Sequence, residues 1–208
     1  MENRGKTRPT RVPAKVYYAA ASWPQVRLRD IPKGESVFFF LRDPVGRFIS
    51  GFYSRQRQGK PRYHSPWNNE ERIAFSIFNT PNELALAISS EDPVERRHAR
   101  DAMQSIRHVN SSYLDWFENE GYFRSRLDDI FFIGMQERLT EDFETLKLKL
   151  RLPAEAVLPN DDISAHKNPA SLDVRLTTEA LDNLASWYAR DYEFFRQCKA
   201  LANAINFR

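Results

Sequence analysis

The stretch Ser36–Arg57, SVFFFLRDPVGRFISGFYSRQR, leaves this chain few ways to fold. It opens on Val37-Phe38-Phe39-Phe40-Leu41, a short apolar run rich in aromatic and β-branched residues. Such a run suits a strand covered on both faces, as in a parallel sheet. Arg42 ends the run, so the strand delivers a charge at its C-terminal edge. Asp43 is of the type that caps the first amides of a helix, and Pro44 fits the first helical position. From Val45 the period changes: Val45, Phe48, Ile49 and Phe52 recur three and four apart, as on one helix face. Asp43, Arg47, Ser50 and Ser54 fall on a different face, near Arg42. The expected fold is therefore α/β, a parallel β-sheet flanked by helices, in which ligands bind at the carboxyl edge of the strands. Arg42 and Ser50, eight residues apart, then converge on one anion, the guanidinium as a rigid donor fork and the hydroxyl as a neutral donor.

Arg42-Asp43-Pro44-Val45-Gly46-Arg47-Phe48-Ile49-Ser50 resembles the R-D-P-x-x-R-x-x-S form of the 3′-phosphate-binding motif of sulfotransferases. These enzymes use 3′-phosphoadenosine 5′-phosphosulfate (PAPS), and the likeness is greatest to Golgi-type and bacterial carbohydrate sulfotransferases. The resemblance implies the P-loop-NTPase-like sulfotransferase fold, with PAPS as co-substrate and no metal. It implies a hydroxyl-bearing acceptor, a carbohydrate, and no nucleic acid. Arg42 and Ser50 take the 3′-phosphate, and Arg47, one turn before Ser50, adds positive potential at the strand–helix junction. Read without the family, Arg42 closes a strand by pairing with a carboxylate and Ser50 is merely solvated; that explains neither the spacing nor the context.

Further blocks follow in order. Leu127–Gly134 (LDDIFFIG) is a second strand with Ile130–Ile133 buried, followed by a helix with Leu139, Phe143, Leu146 and Leu150 on one stripe. Glu137 and Asp142 hold the places of the family's usual acids there, and their role reads as architectural, with Asp142 in a first turn that favours negative charge. Pro159–Leu172 is a polar loop in a region where the family has a mobile segment closing over the nucleotide phosphates, and Lys167, with Asn168 behind it, takes that role. Thr177–Ile205 reads as one amphipathic helix with Leu181, Leu184, Tyr188, Tyr192 and Phe195 on one side. Its W-Y-x-x-D-Y-x-F-F string resembles the family's closing helix, which packs and does no chemistry.

The loop after the motif helix mixes Arg55, Arg57, Lys60 and Arg62 with Tyr63, His64 and Trp67. Such a mixture suits a polar acceptor through cation charge and ring faces, and equally suits a solvated loop anchored by its aromatics. His64 and His108 are the candidates for the base that deprotonates the acceptor. His98, among Arg96, Arg97 and Arg100, reads as surface.

The resemblance stops at the N-terminus. Sulfotransferases hold the 5′-phosphosulfate in a strand-loop-helix, typically K-x-G-T-[ST], and no such string occurs; Ala19–Gln25 also lacks any ionisable group that could act as base. Gly5-Lys6-Thr7 does not make a P-loop, because neither the earlier glycine nor a preceding strand is present. Two readings stay open: an N-terminally shortened sulfotransferase, or a catalytically degenerate member acting as a nucleotide- or partner-binding module. Residues 1–14 are expected to form a basic arm and 15–208 a single domain, with Lys15–Ala21 a strand candidate. The formal charge of +3 across 208 residues fits an anionic ligand. The single Cys198 excludes an internal disulfide and any Cys-based zinc site, and on an apolar helix face it reads as a buried thiol. No apolar stretch of about 18 residues occurs and the start lacks a signal-peptide core, so a cytoplasmic protein is expected.

Overall fold

Two strands pair in parallel, and six helices fill the connection between them, as a parallel pair requires a long crossover. The computed structural model describes residues 26–161, 168–169 and 171–207. Among the described residues the strands are β1 (Val37–Leu41) and β2 (Ile130–Met135). Between them lie α1 (Pro44–Gln56), α2 (Asn69–Ile77), α3 (Pro81–Ala87), α4 (Pro93–Ser105), α5 (Leu114–Phe117) and α6 (Glu120–Ser125). After β2 come α7 (Leu139–Leu150), α8 (Thr178–Trp187) and α9 (Ala189–Asn206). The register sets Val37 against Ile130, then Phe38 against Phe132 through Leu41 against Met135, with an irregularity after Val37. The α/β class with a parallel sheet flanked by helices is thus as the sequence indicates.

Helix starts follow local chemistry. Asp43, Thr80 and Asp92 each accept an amide of the first turn of α1, α3 and α4, and each is followed by proline at the first helical position. Asn68 and Glu71 form a reciprocal capping box on α2.

The core has two lobes that share the sheet–α1 junction. On the first, Phe48 and Phe52 of α1 pack with Phe75, Leu84, Met103 and Leu184. On the second, Phe117, Phe123 and Phe194 form a three-ring cluster with centroids 4.9–5.4 Å apart, and Phe39 of β1 joins it 4.7 Å from Phe117. The opposite face of β1 carries Phe40, whose ring lies over Gly134; a Cβ on Gly134 would sit 2.2 Å from it. The outer edge of β2 is finished by α9: the Asn206 amide accepts from Ile133 N at 2.9 Å and donates to Ile133 O at 2.8 Å. One side chain there does the work of a paired strand.

Two expectations are corrected. β1 is not covered on both faces: Val37 and Leu41 are buried, but Phe38 is 38 % exposed and Phe39 and Phe40 are half-buried. Among the described residues β1 pairs only with β2, so a continuous apolar run here fills a partly open sheet. The closing helix is also broken at Tyr188, which leaves helical geometry (φ −97, ψ 24) while its hydroxyl donates to Val109 O at 2.7 Å. Past the break the buried stripe becomes Asp191, Phe194, Cys198, Ala202 and Ile205, not Tyr192 and Phe195. The strand candidate Lys15–Ala21 and the arm 1–14 lie outside the described residues.

Candidate functional site

The β1–α1 junction is built from its backbone outward. Asp43 caps α1 through Oδ1, accepting from Val45 N at 2.9 Å and Gly46 N at 3.1 Å. Its own amide donates to Glu137 Oε1 at 2.6 Å, so the turn after β2 holds the turn after β1. The Tyr113 hydroxyl donates to Arg42 O, and the Tyr192 hydroxyl reaches Asp43 Oδ1 at 3.4 Å. Asp142 accepts from Met135 N at 2.7 Å, fixing the end of β2 from the first turn of α7. Both acids of the second block are therefore architectural, as their positions suggest.

On this frame the Arg42 side chain is exposed and runs over Gly46, where a Cβ would lie 3.4 Å from Arg42 Nε. Gly46 and Ser50 are four apart and share a helix face, so the guanidinium rests one turn before the Ser50 hydroxyl. Among the described residues neither side chain has a hydrogen-bond or ion-pair partner. Arg42 and Ser50 are thus on one side of α1.

Arg47 is turned elsewhere. Its Nη2 pairs with Asp191 Oδ2, and its guanidinium lies over the Tyr113 ring, 4.4 Å from the centroid, with Tyr188 at 5.3 Å. Asp191 also accepts from Ser112 Oγ at 2.6 Å and Tyr113 N at 2.9 Å. Arg47 so joins α1 to α9 and to the Ser112–Tyr113 turn that grips Arg42. Burial pushes the Tyr113 and Tyr188 phenols far above the ordinary value, so both stay protonated, as the donor role requires.

Arg55, which the sequence groups with the exposed cations of the following loop, is instead 1 % exposed. It grips fully buried Glu71 in a fork, Nε to Oε1 and Nη2 to Oε2, each 2.7 Å. Its Nη1 and Nη2 also donate to Ser65 O and Pro66 O, and Arg107 supplies a backbone and a side-chain donor to the same carboxylate. Burial raises the Glu71 carboxyl, but the Arg55 and Arg107 donors outweigh it and hold it at about 2. This pin rigidifies the loop. Trp67 stacks on Phe75 at 5.2 Å and donates to Arg55 O at 2.6 Å, while the Tyr63 ring covers Gly59, whose φ of +82° suits glycine. Lys60, Arg62, Tyr63 and His64 remain at the exposed surface.

His64 stands on this loop with Nε2 3.0 Å from Gln58 Oε1. His108 has φ +70° and packs its Cβ and backbone against Gly51, where an added Cβ would lie 3.1–3.3 Å away. Burial, then the charges of Arg55 and Arg107, lower its pKa, which keeps the imidazole neutral at pH 7. Gly51 follows Ser50 by about 100° around α1, so His108 and the Arg42–Ser50 pair occupy different faces. Lys167 lies outside the described residues. An open polar cleft of about 350 Å³ between Thr80–Glu83 and Asp173–Thr177 includes none of these residues. What sequence reading missed are Tyr113, Tyr192 and Arg57, whose partners lie 71, 149 and 111 residues away; no local pattern marks such pairs.

The molecule is thus an α/β protein in which an exposed Arg ends a parallel strand and an aligned Ser follows on the next helix. The family model described as the sulfotransferase family matches residues 22–196, most of the chain. The chain belongs to the sulfotransferase family. No curated protein and no solved structure gives a significant match. The family generally uses PAPS as its sulfuryl donor, and membership supports sulfuryl transfer as the general activity.

Proposed function

We propose that this protein moves the sulfuryl group of PAPS to a hydroxyl of a carbohydrate acceptor. The observation that carries the reading is the Arg42 guanidinium, exposed and laid along α1 one turn before Ser50. In this reading both hold the 3′-phosphate, and Arg47, paired with Asp191, orients the strand–helix junction from behind. The acceptor oxygen attacks sulfur, the bridging bond to the 5′-phosphate breaks, and 3′-phosphoadenosine 5′-phosphate (PAP) leaves. The acceptor proton passes to a base, and cationic groups stabilise the charge left on the phosphate. His108 is held in the neutral form a base needs, whereas His64 is the histidine open to an acceptor. The exposed Lys60, Arg62 and Tyr63 beside His64 offer charge and a ring face to a sugar.

Calorimetric titration with PAP and with adenosine 5′-phosphate tests the phosphate site. The wild type should prefer PAP. Arg42→Ala removes a charge-assisted contact of roughly 1.5–3 kcal/mol and should weaken PAP at least about tenfold; Ser50→Ala should cost on the order of 1 kcal/mol. Neither substitution should move adenosine 5′-phosphate. Equal affinity for both nucleotides in the wild type refutes the reading. Transfer from labelled PAPS to carbohydrate acceptors, with His64→Asn and His108→Asn alongside, then separates an enzyme from a module that binds PAP without transfer. A catalytically degenerate member that binds PAP without transfer is the second reading.

A further inference from the structure

The turn after α4 rests on α1 at one close contact. His108 has a left-handed backbone (φ +70°), and its Cβ, carbonyl carbon and carbonyl oxygen lie 3.1–3.3 Å from where a Cβ on Gly51 would stand. The imidazole is half-buried, and among the described residues neither ring nitrogen has a hydrogen-bond partner. The charged groups that face it are Arg55 from α1, Glu71 from α2 and Arg107 from its own turn. Arg55 and Glu71 are fully buried, and Arg107 places both its amide and its guanidinium on the Glu71 carboxylate. Two guanidiniums thus already share one carboxylate. A protonated imidazole would be a third cation against the same acid, half-buried and with its new proton unpaired. Tyr188, the titratable group that holds the next residue through Val109 O, stays protonated and offers no charge to offset it.

The same turn runs on to the β1–α1 junction. Past Val109 it reaches Tyr113, whose amide donates to Asp191 and whose hydroxyl donates to Arg42 O. The backbone that seats the imidazole on α1 is therefore continuous with the side chain that holds the end of β1. Lifting one end of so short a segment slackens the other.

We propose that His108 is an acid-sensitive latch: neutral, it seats the 106–113 turn on α1; protonated, it lifts that turn and loosens the hold on Arg42. Burial first, then Arg55 and Arg107, lower its pKa from the ordinary 6.5. The folded state thus disfavours the proton that the unfolded chain takes up readily. The latch is whole above pH 6.5 and gives way as pH falls below it. The step from latch to ligand affinity rests on the nucleotide reading above.

The test uses the full chain and compares wild type with His108→Asn, which tolerates a left-handed backbone and gains no proton, and with His108→Gln. Thermal melts from pH 8 to pH 5.5 come first. Wild type should lose ground on both variants below pH 6.5, by up to about tenfold in the folding equilibrium, or roughly 3–5 °C in Tm, per pH unit. The His108 imidazole resonance, identified by substituting His64, His98 and His166 in turn, should titrate below 6.5; this readout needs no change at position 108. PAP is then titrated at pH 7.5 and pH 5.5. Acid should weaken it about threefold more in wild type than in either variant, the phosphate's own protonation cancelling in the comparison. Melting profiles that run parallel in all three proteins, or a resonance that titrates at or above 6.5, overturn the latch. Diverging melts with an equal acid effect on PAP support the latch and overturn its link to ligand affinity. If wild type shows no preference for PAP over adenosine 5′-phosphate at pH 7.5, the nucleotide reading fails, and the melts and the resonance still decide the latch.

Discussion

Glu71→Gln removes the charge from the carboxylate that Arg55 and Arg107 share, while nearly preserving its shape. Arg55 is then left 1 % exposed with no counter-charge, and breaking a buried pair from one side costs about 3–5 kcal/mol. For a chain of this size each kcal/mol moves Tm by roughly 2–4 °C, so the variant should melt roughly 6–20 °C below wild type at pH 7. The pH dependence supplies a second reading of the same pair. The folded carboxyl sits at about 2 against an ordinary 4.5, a depressed value, so its stabilisation is complete above pH 4.5. It shrinks as pH falls toward 2 and is gone below that. The gap between wild type and Glu71→Gln, followed by circular dichroism melts from pH 7 down to pH 2.5, should therefore narrow through acid. A variant melting within about 2 °C of wild type at pH 7 would refute the reasoning. So would a gap that acid leaves unchanged. The Ser65 and Pro66 carbonyls depend on the same arginine, so limited proteolysis of the Arg57–Trp67 loop should quicken in the variant.

Gly134→Ala should destabilise by about 1–3 kcal/mol, because the new methyl would meet the Phe40 ring at 2.2 Å; adding Phe40→Leu should recover part of the loss in a denaturant melt, and an unchanged midpoint in the single variant would show that the ring swings away freely. Cys198 is fully buried and burial pushes its thiol far above the ordinary range, so a thiol-reactive dye should label the native protein only at the rate of unfolding; immediate stoichiometric labelling would contradict that placement.

Local chemistry was legible where it is self-contained. Asp43-Pro44, Thr80-Pro81 and Asp92-Pro93 announce their helices because cap and proline act within one turn. The Arg42–Ser50 spacing is likewise a property of one strand end and one helix. Long-range pairing was not legible. Arg47 belongs by period to a polar face and Arg55 reads as part of the cationic loop, yet both are covered, because Asp191 and Glu71 arrive from 144 and 16 residues away. The break at Tyr188 was no more legible: helical periodicity runs on through Tyr192, while the Tyr188 hydroxyl bonds Val109 O, 79 residues away. β1 misled for a different reason, since an apolar run reports what a strand can bury and says nothing of whether neighbours are there to bury it.

The grip on the Arg42–Asp43 turn has a consequence for the timing of assembly. Its holders, Tyr113, Glu137 and Tyr192, lie 71, 94 and 149 residues downstream of the atoms they hold. A chain emerging from the ribosome therefore has its strand, its helix and its arginine long before it has the turn geometry that aims them. Local elements form in microseconds, whereas contacts this distant must wait for synthesis and for closure of long loops. Nascent chains halted before Tyr192 should carry the motif yet fail to bind, and ligand affinity would mark the moment at which the last helix docks.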